Sequence, residues 1–440
     1  MKNNRELLAL FEEKKSFFEE KVSCGIERYR KGDGSITVLN SSGEAISNAK
    51  IKIDQRSHEF RFGANLFMLD ELETKEKNDK YKKYFSEVFN IATLPFYWNT
   101  LEPERGKPRY DKDSPRIYRR PSIDLCIDFC EEHGIEPREH ALAYEHFFPD
   151  WLIGAGVDEI KRELERRYSE ISERYADKIP PIEVTNEMEW EKGKTAFYDQ
   201  PDFVEWCFKM AEKYFPQNQL VINDHTRLAW GDCCCVTDKY YSYIEANILK
   251  GARVDAIGMQ YHLFHKAEDI YEKTRVFLDP EKIYGHMELY SSFGKPLQVT
   301  EVTVPAYSWE SEDEEIQAEI IEKLYSLWFA HPNVEQIVYW NLVDGYAHGA
   351  TQGDMTAGEN YFYGGLLRFD LSPKPAYLKI KELTKERWHT KASLVTDQNG
   401  IVDFRGFFGD YDVEIEIGGI IERRTLSLKK NGENNFTFVI

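Results

Sequence analysis

Cysteine is scarce in this chain and odd in number: seven in 440 residues, namely Cys24, Cys126, Cys130, Cys207 and the run Cys233-Cys234-Cys235. A disulfide scaffold would not look like this in so large a chain, so that class is excluded and a reduced compartment is expected. The cysteine run has no second cysteine pair or histidine pair beside it, so it is not read as a metal site; no metal or other cofactor is expected. No stretch approaches the roughly 20 apolar residues of a membrane span. The amino terminus, Met1-Lys-Asn-Asn-Arg-Glu-Leu-Leu-Ala-Leu-Phe, lacks the apolar core and small-residue cleavage site of a signal peptide, and a cytoplasmic location is the expectation. Basic residues are outnumbered, 57 against 77 acidic, for a formal net charge of −20. Such a surface repels nucleic acid and anionic membranes, so neither is an expected partner. The one basic concentration is Arg116, Arg119 and Arg120. There is no repeat and no low-complexity tract.

Aromatics, by contrast, make up 14% of the chain. They fill cores, and their faces also suit the C–H surfaces of sugars. From about residue 58 to 388, β-branched runs alternate with amphipathic helical patterns, the signature of a parallel sheet with helical crossovers. Eight strands are predicted: 60–65, 89–96, 138–144, 182–187, 220–224, 256–262, 297–304 and 337–343. Helical stripes include Ile160, Leu164, Tyr168 and Ile171 within 157–175, and 374–388 would be the closing helix. Eight strands, each followed by a helix, is the count of a (β/α)8 TIM barrel. Residues 1–30 read as a charged helix. Short strands at 34–58 and 389–440, punctuated by Gly400, Gly406, Gly409 and Gly418-Gly419, read as one small accessory β-sandwich built from both ends of the chain. It is expected to cap the barrel, with a sugar-binding module as the alternative. The barrel itself is assigned to 59–388.

Two of the predicted strands, Pro181-Ile182-Glu183-Val184-Thr185-Asn186-Glu187 and Pro296-Leu297-Gln298-Val299-Thr300-Glu301, each place a glutamate where the strand would stop. In a parallel barrel both carboxylates then reach the C-terminal mouth. A facing carboxylate pair is the minimal machinery for cleaving a glycosidic bond. The other strand ends supply Trp98, His140, Tyr144, Asp224-His225, Gln260-Tyr261-His262 and Trp340-Asn341. These are amides, imidazoles and aromatic platforms suited to handling an oligo- or polysaccharide.

In that order the residues resemble glycoside hydrolase family 10, whose best-known members are endo-β-1,4-xylanases. Asn186-Glu187 is similar to the family's acid/base motif and Thr300-Glu301 to its nucleophile motif. Gly258-Met259-Gln260-Tyr261-His262 is similar to Gly-x-Gln-x-His, Asn223-Asp224 to the strand-five Asn-Asp, and His140-Ala141-Leu142 to the strand-three His-Thr-Leu. Leu101-Glu102-Pro103 follows Trp98 at the family spacing, and Gly364-Gly365-Leu366-Leu367 through Lys374-Pro375-Ala376-Tyr377 matches the run into the last helix. The resemblance implies retaining hydrolysis, with Glu187 as acid/base, Glu301 as nucleophile, His262 orienting Glu301 and Asn186 on the sugar 2-hydroxyl. Trp98, His140, Tyr144, His225, Gln260 and Trp340 are the expected substrate contacts.

Strand two departs from the pattern. The family's Glu-Asn-x-Met-Lys-Trp is here Thr93-Leu94-Pro95-Phe96-Tyr97-Trp98, and Tyr144 stands where the family commonly has tryptophan. Lost polar grips of about 1 kcal/mol or more each point to an altered substrate. Xylan is the default expectation, and an exo-acting or aglycone-specific β-glycosidase the alternative. A metal-dependent enzyme using His140, His225 and His262, and a catalytically dead sugar binder, are the readings from other classes. His146, His265 and His348 are expected on loops or at the surface. The cluster Arg116/Arg119/Arg120 is read as a solvated loop, the alternative being a grip on an acidic decoration such as a uronic acid.

Overall fold

The structure, a computed structural model, describes residues 4–188, 193–231 and 235–440. Cys233 and Cys234 of the cysteine run lie outside the described residues. A helical segment, mainly Lys15–Tyr29, leads into β1 (Lys31–Leu39) and β2 (Lys50–His58). The chain then lays down β3 (Arg61–Asn65), β4 (Ile91–Pro95), β5 (Glu136–His140), β6 (Pro181–Asn186), β7 (Gln219–Asp224), β8 (Ala256–His262), β9 (Leu297–Thr303) and β10 (Val334–Tyr339). These eight pair in sequence order and close, β10 against β3, into one barrel. Every ladder in it is parallel. The expected (β/α)8 barrel is what the chain forms.

The crossovers are helical because their apolar residues recur at helical spacing. In Val157–Tyr175 the stripe Ile160, Leu164, Tyr168 and Ile171 is wholly buried. Each such side chain contributes about 1.5–3 kcal/mol on burial. Among the described residues no helix is long and apolar enough to cross a membrane.

After the barrel come β11 (Lys391–Val395), β12 (Ile401–Phe407), β13 (Gly409–Ile417), β14 (Ile420–Leu428) and β15 (Asn435–Val439). They join β1 and β2 in two small sheets, ordered β12-β1-β15 and β11-β2-β13-β14. Alternate residues turn inward, among them Ile36, Val38, Ile51, Ile53, Val413 and Ile415, and share one apolar core. Contacts with the barrel run through segments that lead into its strands: Glu59 N donates to Phe408 O, and Lys430 Nζ to Pro332 O. The sandwich therefore sits at the end where barrel strands begin, opposite the mouth.

Sequence and structure differ at two strand ends that matter for the site. The third barrel strand starts at Glu136 rather than Arg138 and leaves the ladder at His140, well before Tyr144. Pro137 obscured its start, and beyond His140 only an isolated bridge, Ala143 to Thr185, continues the pairing. The second difference is that β9 does not stop at Glu301, where the carboxylate was expected to close it, although the predicted run 297–304 already extends past it. The strand runs on to Thr303, and Glu301 lies inside a bulge.

Candidate active site

At the mouth of the barrel is a cavity of about 360 Å³ whose lining includes Glu187 and Glu301. Two local distortions bring these carboxylates there. Strand β6 ends at Asn186, and Glu187 adopts a left-handed backbone (φ 49°), a conformation that non-glycine residues rarely take and that clusters at functional sites. On β9 one extra residue is accommodated between Val299 and Val302, relative to both β8 and β10. Strand side chains alternate between faces, so Thr300 and Glu301 would ordinarily point apart. The bulge re-aims them, and both reach the same inward amide, Asn223.

Asn223 is the hub. Its Oδ1 accepts from Thr300 Oγ1 (2.8 Å). Its Nδ2 faces three acceptors, Glu183 Oε1 (3.2 Å), Asn186 Oδ1 (3.1 Å) and Glu301 Oε1 (3.2 Å). Gly258 on the neighbouring strand makes room for it, because a Cβ there would stand 2.5 Å from Asn223 Oδ1. Asn186 Oδ1 also accepts from Gln260 Nε2 (3.1 Å), and the same Gln260 amide donates to Glu187 Oε1 (2.9 Å). Amides thus connect the two carboxylates from Glu301 through Asn223, Asn186 and Gln260 to Glu187. They also fix the flip of Asn186, whose oxygen takes both donors.

Each carboxylate has its own second contact. Glu301 Oε2 lies 3.2 Å from His262 Nε2, and His262 Nδ1 lies 2.9 Å from Thr303 Oγ1. A threonine hydroxyl donating to Nδ1 leaves Nε2 carrying the proton toward Glu301. Tyr144 donates its hydroxyl to Glu187 Oε2 at 2.6 Å. Burial pushes the Glu187 carboxyl above its ordinary value and the nearby Glu301 charge adds to this, while the Tyr144 and Gln260 donors pull the other way. Below this layer Glu183, fully buried, is held under its ordinary value. Burial alone would raise it, but the Arg138 guanidinium, His140 and Asn223 outweigh that.

His140, Tyr144, His225, Gln260 and Trp340 line the cavity with Asn186 and His262. His140 bridges Glu183 (Nδ1, 2.8 Å) and the Tyr97 hydroxyl (Nε2, 3.0 Å). Trp340 meets His140 edge-on, 5.4 Å between ring centres. Trp98 does not reach the cavity, which corrects the expectation. It opens a short helix, Trp98–Leu101, and its indole is buried against Phe148 and Trp151 while Nε1 donates to Glu102 (2.9 Å). The ring presented instead is Tyr97, stacked on Phe147 at 4.0 Å. His265 and His348 do lie on loops and His146 in the short 3-10 turn Glu145–Phe147, but all three line the cavity, and so do Arg119 and Arg120. Of the arginine cluster only Arg116 is solvated. Phe67, Phe147 and Glu359 had no motif to announce them.

One set of groups has cation-ligand spacing: His140, Glu183 and Glu301, with donor atoms within 4.8 Å of one another. The Arg138 guanidinium already occupies Glu183, and His140 is tied to Glu183 and Tyr97, so the arrangement is a hydrogen-bonded ion-pair network. The histidines proposed for a metal enzyme, His140, His225 and His262, do not form such a group among the described residues.

Residues 57–383 match the sequence model of glycosyl hydrolase family 10. The chain belongs to that family. The matched residues take in all eight strands of the (β/α)8 barrel. Among curated proteins it is similar to anti-sigma-I factor RsgI6 of Acetivibrio thermocellus, 24% identical over 402 residues covering 90% of this chain and 46% of that protein. It is also similar to endo-1,4-beta-xylanase 1 of Arabidopsis thaliana, 24% identical, covering 88% of this chain and 37% of that protein. The chain thus spans less than half of either relative. Against endo-1,4-beta-xylanase B of Thermotoga neapolitana the identity is 23%, covering 74% of this chain and 88% of that protein. Among solved structures, xylanase 10B from Thermotoga petrophila in complex with xylobiose shares the fold, with a TM-score of 0.58 at 21% identity over 75% of this chain and 95% of that one.

Proposed function

We propose that this family 10 hydrolase is a retaining β-glycosidase working by double displacement, with Glu301 as nucleophile and Glu187 as acid/base. The observation that carries the reading is the pair itself. Two carboxylates share one cavity, and burial together with the Glu301 charge raises Glu187, so that Glu187 retains a proton above the ordinary carboxylate range. In the first step a Glu301 oxygen bonds to the anomeric carbon as the glycosidic C–O bond breaks, and the Glu187 proton goes to the departing oxygen. In the second, Glu187 takes a proton from water, the water oxygen bonds to the anomeric carbon, and the ester to Glu301 breaks. His262 Nε2–H and the Asn223 amide hold Glu301 in place. Asn186, its oxygen pinned by two amides, has its NH2 left for the sugar 2-hydroxyl.

Xylan or xylo-oligosaccharides are the proposed substrates, supported by the xylanases among the relatives. One observation favours an exo-acting or aglycone-specific enzyme on a short glycoside. The cavity, about 360 Å³, is at the low end of the roughly 300–1,000 Å³ usual for small-ligand pockets, and stacked Tyr97 and Phe147 line one side of it. The test is hydrolysis of aryl β-xylobioside, xyloside, glucoside, cellobioside and arabinoside beside xylan, with the product anomer followed by NMR. Release of the β-anomer first, abolished in Glu301→Ala, is the expected result. An α-anomer first, or turnover undiminished in the variant, would overturn it. Activity on aryl glycosides but not on xylan would select the second reading.

A further inference from the structure

Elsewhere in the protein, deeply buried arginines are matched. Arg167 donates to the carbonyls of Phe96, Ala141 and Leu142, Arg30 donates to those of Phe329, His331 and Val334, and Arg138, though its Nε and Nη1 have no hydrogen-bond partner, is neutralised by Glu183. The cavity wall is different. Arg119 and Arg120, 5% and 7% exposed, both line it, and neither has a carboxylate at ion-pair distance among the described residues. Arg119 spends Nη2 on Asn341 Oδ1 (2.9 Å), while its Nε and Nη1 have no hydrogen-bond partner. Arg120 spends Nη1 on the carbonyl of Arg119 (2.8 Å), and its Nε has none. Its guanidinium lies over the Tyr97 ring at 4.3 Å. Glu359, the acid in the same wall, is engaged through Oε2 with Asn341 Nδ2 (2.6 Å) and His348 N (3.3 Å).

Burial brings Arg120 down to about 9, which still leaves it cationic at neutral pH. Two desolvated cations side by side, with donors unspent, are a costly arrangement that an aromatic face only partly offsets. A planar fork of N–H donors matches the two oxygens of a carboxylate better than any neutral sugar hydroxyl. Beside the main cavity the same two arginines line a side pocket of about 150 Å³ with Thr100, Tyr118 and His348, which gives room for a substituent.

We propose that Arg119 and Arg120 form a carboxylate-binding subsite, so that the substrate carries a uronic acid residue or uronyl branch. This rests on the glycosidase reading above and narrows its substrate class.

The test is calorimetric titration of xylotriose and of its glucuronosyl-substituted form into full-length Glu301→Gln protein, in which neither ligand turns over. The acidic ligand is expected to bind at least about tenfold more tightly at low salt. That advantage should shrink as salt rises and fall close to parity in Arg120→Gln and Arg119→Gln made in the same background. Arg120→Lys, which keeps the charge and loses the fork, should retain part of it. Should the glutamine variants fail to fold, as judged by circular dichroism, the salt dependence and the lysine variant still decide. Equal affinity for the two ligands, or an advantage that survives both glutamine changes, would overturn the subsite. Turnover of neutral aryl glycosides by the unmodified chain is read separately. Turnover without acid preference defeats this inference alone, and acid preference without any turnover defeats the glycosidase reading alone.

Discussion

Glu183 and Glu187 leave the same strand four residues apart, yet their surroundings drive their protons in opposite directions. Glu183 faces a guanidinium, a histidine and an amide, and is held below its ordinary value of 4.5. Glu187 has no cation at pairing distance among the described residues. It meets a phenol, an amide and the field of a second carboxylate, and is held above 4.5. Burial opposes charge at both positions, so burial does not distinguish them. The partner set does. The barrel therefore stacks a carboxyl held low by its ion pair beneath one held high by burial and a neighbouring charge, and Asn223 links the two layers.

Glutamine at each of the two positions tests that contrast most severely. Glu187→Gln is expected to lose about 10²- to 10⁴-fold in kcat on unactivated glycosides, and less where the leaving group is an acidic phenol that needs little protonation. Its stability should move the other way. A carboxyl with a raised value contributes stability that is present below pH 4.5 and lost as pH rises through that raised value, so its amide should unfold at a higher temperature than the parent at pH 8. Glu183→Gln strands Arg138 and should cost about 3–5 kcal/mol at pH 7. Because its value is lowered, the lost stability is present above pH 4.5 and disappears as pH falls through the lowered value, so parent and variant should converge in acid. Calorimetric melting of both variants from pH 2 to 8 checks this. If both lose stability at pH 8, the contrast between the layers is wrong.

The link between the layers comes next in size. Asn223→Ala removes the donor that touches Glu183, Asn186 and Glu301 together, and should lower kcat by about 100-fold with little change in KM, since placement rather than contact with substrate is lost. Gly258→Ala keeps the amide but pushes a methyl toward its oxygen, and should reproduce the defect in milder form. A change confined to KM in either variant would mean that Asn223 does not position the carboxylates.

The barrel was legible because most of its strands carry Val, Ile or Leu and alternate with helical stripes, and Glu187 was legible because such a run stops just before it. Glu301 was found for a partly mistaken reason. Its strand continues, and only a bulge, which leaves no mark in composition, turns it to the mouth. Trp98 was misplaced because spacing cannot reveal that the chain coils into a helix one residue after Tyr97. The burial of Arg119 and Arg120 was hidden as well, since a charge cluster in a loop looks solvated until the loop is folded against the barrel. A signal was available for the lower layer. Glu183 and Asn223 are polar residues beside apolar neighbours on their strands, and buried polar groups on barrel strands are expected to be partnered.

The smallest of these effects gives the finest test of what sets Glu187. The Tyr144 hydroxyl donates to its carboxylate at 2.6 Å and so favours the ionised form, against burial and the Glu301 charge. Tyr144→Phe deletes that donor and leaves the ring on the cavity wall. Glu187 should then hold its proton to still higher pH, and because kcat/KM declines where the acid deprotonates, the alkaline limb of the profile should move upward. A single hydrogen bond limits the cost at the optimum to less than about tenfold. In Glu187→Gln the same tyrosine change should leave the profile where it was, because the group it acts through is gone. A limb that moves downward in Tyr144→Phe would show that the phenol holds the proton in place instead of drawing it off.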